Sequence, residues 1–281
     1  MNLRLILVLA GSLIVISGIT VLLASSPENA PIRPATKTGE TVQWRLPEYL
    51  REVSGLAVAD ENHLYLMTDE KGTVFQFELE SGNVEKLFEA GPPADYEGIE
   101  VLRRQLYLVT STGMLYARHL DSGELTVANT GLQKTCEVEG LHSEGRDLLL
   151  LCKTVFDPQY KNGLLIFRFD PATSLTTNFL KLSPEQFTRD FRKGLNPSAI
   201  TTVKTPDGLR LIILAARQKR LLELERKGGG EFELTKVHKL KGHPQAEGVA
   251  VLQGHKIVVS DEGKDRGGKI TIYPSILDIG Q

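Results

Sequence analysis

The fold of this chain is set by the pentamer Glu97-Gly98-Ile99-Glu100-Val101, which returns in related form along the sequence. The other copies are SGLAV at 54–58, EGLHS at 139–143, SAITT at 198–202 and EGVAV at 247–251. Successive copies begin 43, 42, 59 and 49 residues apart. Each copy is followed by a polar turn and then by a β-forming run, such as HLYLM at 63–67. Tandem units of roughly 40–45 residues with several short strands are typical of propeller blades.

Five copies of the unit predict an all-β, five-bladed β-propeller, with a sixth, degenerate blade as the alternative. The last unit, 247–281, is short for a complete blade. We therefore expect the stretch TVQWRLP at 41–47 to supply its outer strand and close the ring. The glycine after each pentamer glutamate is interpreted as room for close strand packing at the hub.

The first 26 residues are predicted to form an N-terminal transmembrane anchor. Residues 5–24 carry no charged side chain, and about 20 apolar residues span the ~30 Å hydrocarbon core of a bilayer. A cleaved signal peptide is the alternative. It is disfavoured because its apolar core is usually only about 7–15 residues long, and because Pro27 directly follows the small-residue cleavage candidate Ala24-Ser25-Ser26.

Residues 27–40 (PENAPIRPATKTGE) are predicted to be a flexible tether, because they are rich in proline and charge. The propeller domain is then expected at 41–281. The whole chain has 33 Lys and Arg against 35 Asp and Glu, a net charge of −2. A nucleic-acid-binding protein usually carries a basic stripe, so we expect no nucleic-acid partner.

The repeated acids predict a metal site at one mouth of the central channel. The innermost strand of each blade lines the channel, so pseudo-symmetry places the first residues of the five pentamers in one ring. Hairpins then return Asp69 to the side of Ser54 and Asp261 to the side of Glu247. The expected metal ligands are Glu97, Glu139, Glu247, Asp69 and Asp261.

An all-oxygen ligand set without Cys or His favours Ca²⁺ over zinc, and its lax geometry favours Ca²⁺ over Mg²⁺. The alternative is structural: each glutamate accepts hydrogen bonds from the next blade, or pairs with Lys153 or Arg217.

Two functions remain open at this point. The first is a binding or scaffold module with a structural Ca²⁺ and an unknown small-molecule or protein ligand. The second is a Ca²⁺-dependent hydrolase of esters, lactones or phosphate esters, with Glu97 or Glu139 as the general base. The sequence has no Gly-x-Ser-x-Gly elbow and no phosphate-binding glycine loop. It therefore assigns no catalytic and no cofactor-binding residue, and the binding module is favoured.

Cys136 and Cys152 flank the hairpin turn at 143–147. Antiparallel pairing would place them nearly opposite each other. In an oxidising compartment this arrangement allows a disulfide; otherwise the two cysteines are buried small apolar residues.

Several segments together resemble the SdiA-regulated, YjiK-like family of membrane-anchored bacterial β-propellers, over roughly residues 50–275. The matching segments are EVSGLA (52–57), MTDEKGTVFQFEL (67–79), DYEGIEV (95–101), EVEGL (137–141), NPSAI (196–200), LLELE (221–225), QAEGVAV (245–251) and VSDEG (259–263). The resemblance implies a five-bladed propeller with a calcium site, distantly related to NHL-repeat propellers. An N-terminal membrane segment is also usual in that family. Ahead of the apolar segment, the α-amine and Arg4 favour a cytoplasmic N-terminus, so we expect an inner-membrane anchor with the C-terminal domain in the periplasm. This chain departs from the pattern at CKT (152–154) and ARQ (216–218), where an acid is expected.

Overall fold

The structure is a computed structural model that describes residues 32, 34–38, 41–187, 191, 194–206, 208–226, 230–263 and 267–279. The predicted membrane anchor at residues 5–24 lies outside these ranges. Within them, no helix has the length and apolar character needed to cross a bilayer.

The strands form five antiparallel sheets arranged as a five-bladed β-propeller, as predicted, and the six-bladed alternative is wrong. The innermost strands contact one another in cyclic order, so the ring is closed. Blades 1 to 4 each contain four consecutive strands. Blade 1 consists of β3 (Val53–Val58), β4 (His63–Thr68), β5 (Thr73–Glu78) and β6 (Val84–Glu89), and blade 2 consists of β7 (Tyr96–Leu102), β8 (Gln105–Thr110), β9 (Met114–His119) and β10 (Leu125–Asn129). Blade 3 consists of β11 (Cys136–Glu144), β12 (Asp147–Val155), β13 (Leu164–Asp170) and β14 (Leu175–Leu182), and blade 4 consists of β15 (Ala199–Thr205), β16 (Gly208–Ala215), β17 (Arg220–Arg226) and β18 (Phe232–Lys239).

Blade 5 combines the two ends of the domain. Its inner strands are β19 (Ala246–Val251), β20 (Ile257–Asp261) and β21 (Lys269–Tyr273), and its outer strands are β2 (Thr41–Arg45) and β1 (Pro34–Thr38). The pairing of β2 with β21 confirms the predicted closure strand. Strand β1 lies inside the range expected to be a tether. It pairs antiparallel with β2, because the outer edge of β2 offers main-chain groups that a further strand can satisfy.

The core consists of five apolar clusters, one between each pair of neighbouring blades. Strand β12 shows why its sequence is a continuous apolar run: Leu148 and Leu150 pack toward blade 2, while Leu149 and Leu151 pack toward blade 4. Successive side chains of a strand point to opposite faces, so a strand covered on both faces has no polar alternation. The connections include short 3-10 helices at Glu48–Leu50, Leu132–Lys134, Pro184–Gln186, Gln253–His255 and Ile276–Asp278.

The pentamer glycines make close packing at the hub possible. A Cβ atom added at Gly98 would lie 2.8 Å from Leu141 Cβ and 2.9 Å from Leu141 N, on the inner strand of the next blade. At Gly248 the corresponding contact is Leu56 N, at 3.1 Å. The interpretation of these glycines as packing positions is therefore confirmed.

Cys136 and Cys152 form a disulfide that joins β11 to β12, with a Cα–Cα distance of 5.7 Å. Both residues are buried. The sequence allows either a disulfide or two buried free thiols, and the structure contains the disulfide.

Candidate metal centre at the channel mouth

The central channel is lined by the five inner strands and is narrow. Its walls are the pentamer residues, among them Gly55, Gly98, Gly140, Ala199 and Gly248. The space between them accommodates about one water molecule. A ligand larger than water therefore meets the propeller at the ends of the channel and not inside it.

We define the channel mouth as the ring formed by the first pentamer residues, Ser54, Glu97, Glu139, Ser198 and Glu247. The two serines link neighbouring blades: Ser54 Oγ donates a hydrogen bond to Tyr96 O at 3.1 Å, and Ser198 Oγ donates one to Ala246 O at 2.8 Å. The ring thus has two neutral and three acidic positions.

Glu139 is paired with a lysine. Its side chain is only 2% exposed, and its Oε1 accepts a hydrogen bond from Lys153 Nζ on the neighbouring strand β12. The structural alternative that the sequence left open, pairing with Lys153, is therefore present at this glutamate. Burial nevertheless raises the pKa of Glu139 to about 7, although Lys153 acts in the opposite direction.

Glu97 and Glu247 have no such partner. None of the described residues donates a hydrogen bond to either carboxylate. Burial, reinforced by the charge of Glu139, raises the pKa of Glu97 to about 9. Burial raises the pKa of Glu247 to about 7, with Lys153 opposing the shift and Glu262 adding to it. At neutral pH the mouth therefore retains protons where three carboxylates face a single ammonium group.

The two predicted aspartate ligands lie at the edge of this group. Asp69 adds negative charge to the surroundings of Glu97, and burial raises its own pKa. Its Oδ1 accepts a hydrogen bond from the main-chain N–H of Glu70 at 2.7 Å.

Asp261 belongs to a buried polar network. Its Oδ2 lies 2.6 Å from His243 Nδ1 and 3.5 Å from Lys269 Nζ, and His243 Nε2 lies 2.6 Å from the Tyr273 hydroxyl. Asp261 still contributes to the negative field at Glu247. Its Oδ1 is buried and accepts no hydrogen bond from the described residues.

In the side-chain conformations seen, the described residues contain no group of three or more Asp, Glu, His or Cys arranged to hold a metal ion. Glu97, Glu139 and Glu247 are brought close enough to raise one another's pKa, but they do not form a preassembled cage. Their chemistry suits a hard cation, because carboxylate oxygens on flexible side chains are the ligands that such a cation prefers. Two of the three carboxylates, those of Glu97 and Glu247, accept no hydrogen bond from the described residues.

A second polar cluster lies on the inner strands, three or four residues along each strand from the channel mouth. The sequence pattern did not predict it. His142 Nδ1 is 2.7 Å from Glu100 Oε2, and His142 Nε2 is 3.0 Å from Thr202 Oγ1. This chain of contacts joins the inner strands of blades 2, 3 and 4. One signal was available, since Glu100 and His142 occupy the same fourth position of successive pentamers.

No protein-family model matches the sequence, and no curated protein sequence matches it. Solved structures of β-propeller proteins do match the fold. A putative gluconolactonase is 14% identical, with a TM-score of 0.53 over 82% of this chain and 80% of that one. A glutaminyl cyclase from Myxococcus xanthus is 14% identical, with a TM-score of 0.53 over 79% and 89%.

A third similar structure is the PQQ-bound form of an aldose sugar dehydrogenase from Streptomyces coelicolor. It is 13% identical, with a TM-score of 0.52 over 85% of this chain and 99% of that one. At these identities the similarity establishes the propeller fold and no activity.

Proposed function

We propose that this chain is a membrane-anchored, extracytoplasmic β-propeller whose channel mouth binds Ca²⁺, and that the propeller serves as a binding module. The observation that carries the proposal is the charge imbalance at the mouth. Three carboxylates from three blades face one ammonium group, so a fully ionised mouth has an excess of two negative charges. A divalent cation supplies the charge that protons otherwise supply.

Glu97 and Glu247 are the residues proposed to hold the ion, because their carboxylates receive no hydrogen bond from the described residues. Glu139 would coordinate the ion only when its carboxylate moves away from Lys153. Asp69 and Asp261 add to the negative electrostatic field at the mouth. Ca²⁺ accepts 6–8 oxygen ligands in flexible geometry, roughly at 2.3–2.6 Å, so waters complete the shell. The ion would act as a charge that joins blades 2 and 5 across the channel mouth.

Calcium titration of the full-length chain tests this site. The Glu97→Gln, Glu247→Gln variant should lose about tenfold or more in Ca²⁺ affinity, roughly 1.4 kcal/mol, because it removes the two free carboxylates. The Lys153→Met variant should bind Ca²⁺ about tenfold more tightly, because it removes the competing cation. Isothermal titration calorimetry measures both affinities.

The matched control is Glu124→Gln, which removes an exposed carboxylate directly before the outer strand of blade 2 and should bind Ca²⁺ as the wild type does. Lys153→Met also separates the proposal from a purely structural ion pair. If Lys153 is only the permanent partner of Glu139, its removal destabilises the fold without strengthening Ca²⁺ binding, and the calcium proposal is then wrong.

The membrane anchor and periplasmic location are part of the proposal. Residues 5–24 would hold the chain in the inner-membrane bilayer, with the propeller on the periplasmic side. The Cys136–Cys152 disulfide supports an oxidising compartment, because such bonds persist outside the reducing cytosol.

A Ca²⁺-dependent hydrolase is the second candidate, and one observation favours it. Burial raises the pKa of Glu139 to about 7, which suits a group that transfers protons near neutral pH. A bound ion would polarise a carbonyl or phosphoryl oxygen. Hydrolysis of a panel of esters, lactones and phosphate esters should then be abolished by a chelator. Activity that persists in a Glu97→Gln, Glu139→Gln variant would exclude this candidate.

A further inference from the structure

A basic pocket lies between blades 4 and 5, away from the acidic ring. It has a volume of about 520 Å³, and we define it by the side chains and loop that surround it: Lys219, Arg220, Lys239, Lys241, Gly242 and His243. Two connections form it, the β16–β17 hairpin and the link from β18 to β19. Both connections are on the face of the propeller at which the inner strands begin, so the pocket shares a face with the channel mouth.

Four cationic side chains surround this pocket without a compensating acid. Lys219, Lys239 and Lys241 form no ion pair with any described residue, and all three are exposed. Arg220 Nη1 donates only to main-chain carbonyls, those of Gln218 at 3.3 Å and Lys219 at 3.0 Å. The pocket therefore has a concentrated positive charge that the described part of the protein leaves unneutralised.

The nearest buried acid is already committed. Asp261 lies behind the pocket, where its Oδ2 contacts His243 and Lys269. Lys269 Nζ also donates to Gly242 O, so this lysine ties the loop to the buried network. His243 forms the floor with both ring nitrogens engaged, which makes the floor rigid.

The main chain of the pocket is also held in place. Leu240 N donates to Lys219 O at 3.0 Å, which joins the two connections. Lys219 has a φ of 52°, in the left-handed region that glycine and asparagine occupy more readily. A lysine in this conformation is strained, and the surrounding structure maintains it. The main-chain N–H groups of Lys241 and Gly242 donate no hydrogen bond to the main chain of another described residue.

We propose that the basic pocket binds a phosphate group. Four cations without an acidic partner match a multiply charged oxyanion better than a single carboxylate. The volume is in the range of small-molecule sites, roughly 300–1,000 Å³, so the phosphate is carried by a larger molecule or by a lipid headgroup. The site is independent of the calcium proposal, since it uses other residues and the opposite charge.

Thermal unfolding of the full chain in pyrophosphate, compared with chloride at equal ionic strength, tests the pocket. An anion that binds only the folded state raises the unfolding temperature. Pyrophosphate should raise it for the wild type and have at most half that effect on the Lys219→Gln, Lys241→Gln variant. The Lys219→Arg, Lys241→Arg variant keeps the charge and should retain the full shift.

The matched control is Lys134→Gln, Lys161→Gln, which removes two exposed lysines on other blades and should respond as the wild type does. Thermal unfolding of the chain in detergent, with phosphatidylglycerol or phosphatidylcholine added, identifies the source of the phosphate. If phosphatidylglycerol raises the unfolding temperature of the wild type more than that of the Lys219→Gln, Lys241→Gln variant, and phosphatidylcholine does not, the source is a lipid; an equal effect of phosphatidylglycerol on both proteins assigns a soluble phosphate compound. An equal pyrophosphate shift in the wild type and the Lys-to-Gln pocket variant, or no shift in the wild type, overturns the proposal.

Discussion

In calcium-free buffer with a chelator, the free energy of unfolding should fall by about 3 kcal/mol as the pH rises from about 5 to about 9. Glu97, Glu139 and Glu247 have folded-state pKa values of about 9, 7 and 7, each raised above 4.5. Between these values the folded state binds protons that the unfolded state has released. The contribution of these three glutamates to stability is therefore complete at low pH and is lost as the pH rises through their folded-state pKa values.

The expected loss of about 3 kcal/mol is smaller than the pKa shifts alone would give, because solvent screens the charge of partly exposed carboxylates. One pKa unit corresponds to about 1.4 kcal/mol, and Glu97 alone is raised by several units, but its side chain is only partly buried. The lowered pKa values of Asp60, Asp121 and Asp170 act at lower pH, outside this window. Urea denaturation at a series of pH values measures the effect.

Two comparisons make the result specific. Glu97→Gln should flatten the upper part of the profile, because a glutamine has no proton to lose there. Saturating Ca²⁺ should restore the stability of the wild type at high pH, since the ion replaces the protons. A wild-type stability that is constant or rises between about pH 6 and pH 9 would contradict the raised pKa values.

The Cys136→Ala, Cys152→Ala variant should be less stable than the oxidised wild type by about 3 kcal/mol. The disulfide closes a loop with a sequence separation of 16, and opening it returns conformational freedom to the unfolded chain. Urea denaturation with and without dithiothreitol measures the difference. Reduction should bring the wild type to the midpoint of the variant and leave the variant unchanged.

The same bond reports on the compartment. Acid quenching of intact cells, followed by alkylation of free thiols under denaturing conditions, should leave both cysteines unmodified if the propeller is in an oxidising space, and denaturation is needed because both residues are buried. Modification of both cysteines in those cells would contradict the periplasmic location. A wild-type midpoint that is insensitive to reductant would contradict the stabilising role of the bond.

The repeating architecture was predictable because strand patterns are local. The pentamer and the β-forming runs define each blade, and a missing outer strand in the last unit pointed to 41–47. The close approach of Gly98 to Leu141 also follows from the repeat, since it recurs at Gly248 and Leu56. Strand β1 was not predicted, because its polar, proline-containing sequence resembles a tether and only the free edge of β2 makes it a strand.

The candidate site was predictable only as a ring of positions. Symmetry places Glu97, Glu139 and Glu247 at one mouth, but it does not say which glutamate Lys153 pairs with. That choice depends on side-chain directions across two strands of blade 3. Asp261 shows the same limit: its backbone is beside Glu247, while its carboxylate turns to His243, a residue in a connecting loop whose position no periodicity indicates.

The pairing of β2 with β21 has a consequence for the order of events during synthesis. Residue 45 pairs with residue 269, so β2, the second strand described, cannot pair until β21, the last strand described, has been made. The four strands of each of blades 1 to 4 are consecutive in the chain, but the fifth blade cannot be completed until β21, which ends at Tyr273, has emerged. Until then β2 lacks its partner strand β21, and the apolar face of blade 1 that packs against blade 5 is uncovered, so both are open to association with other chains. A chaperone that protects the nascent protein would be needed longest at β2, the strand that pairs with β21.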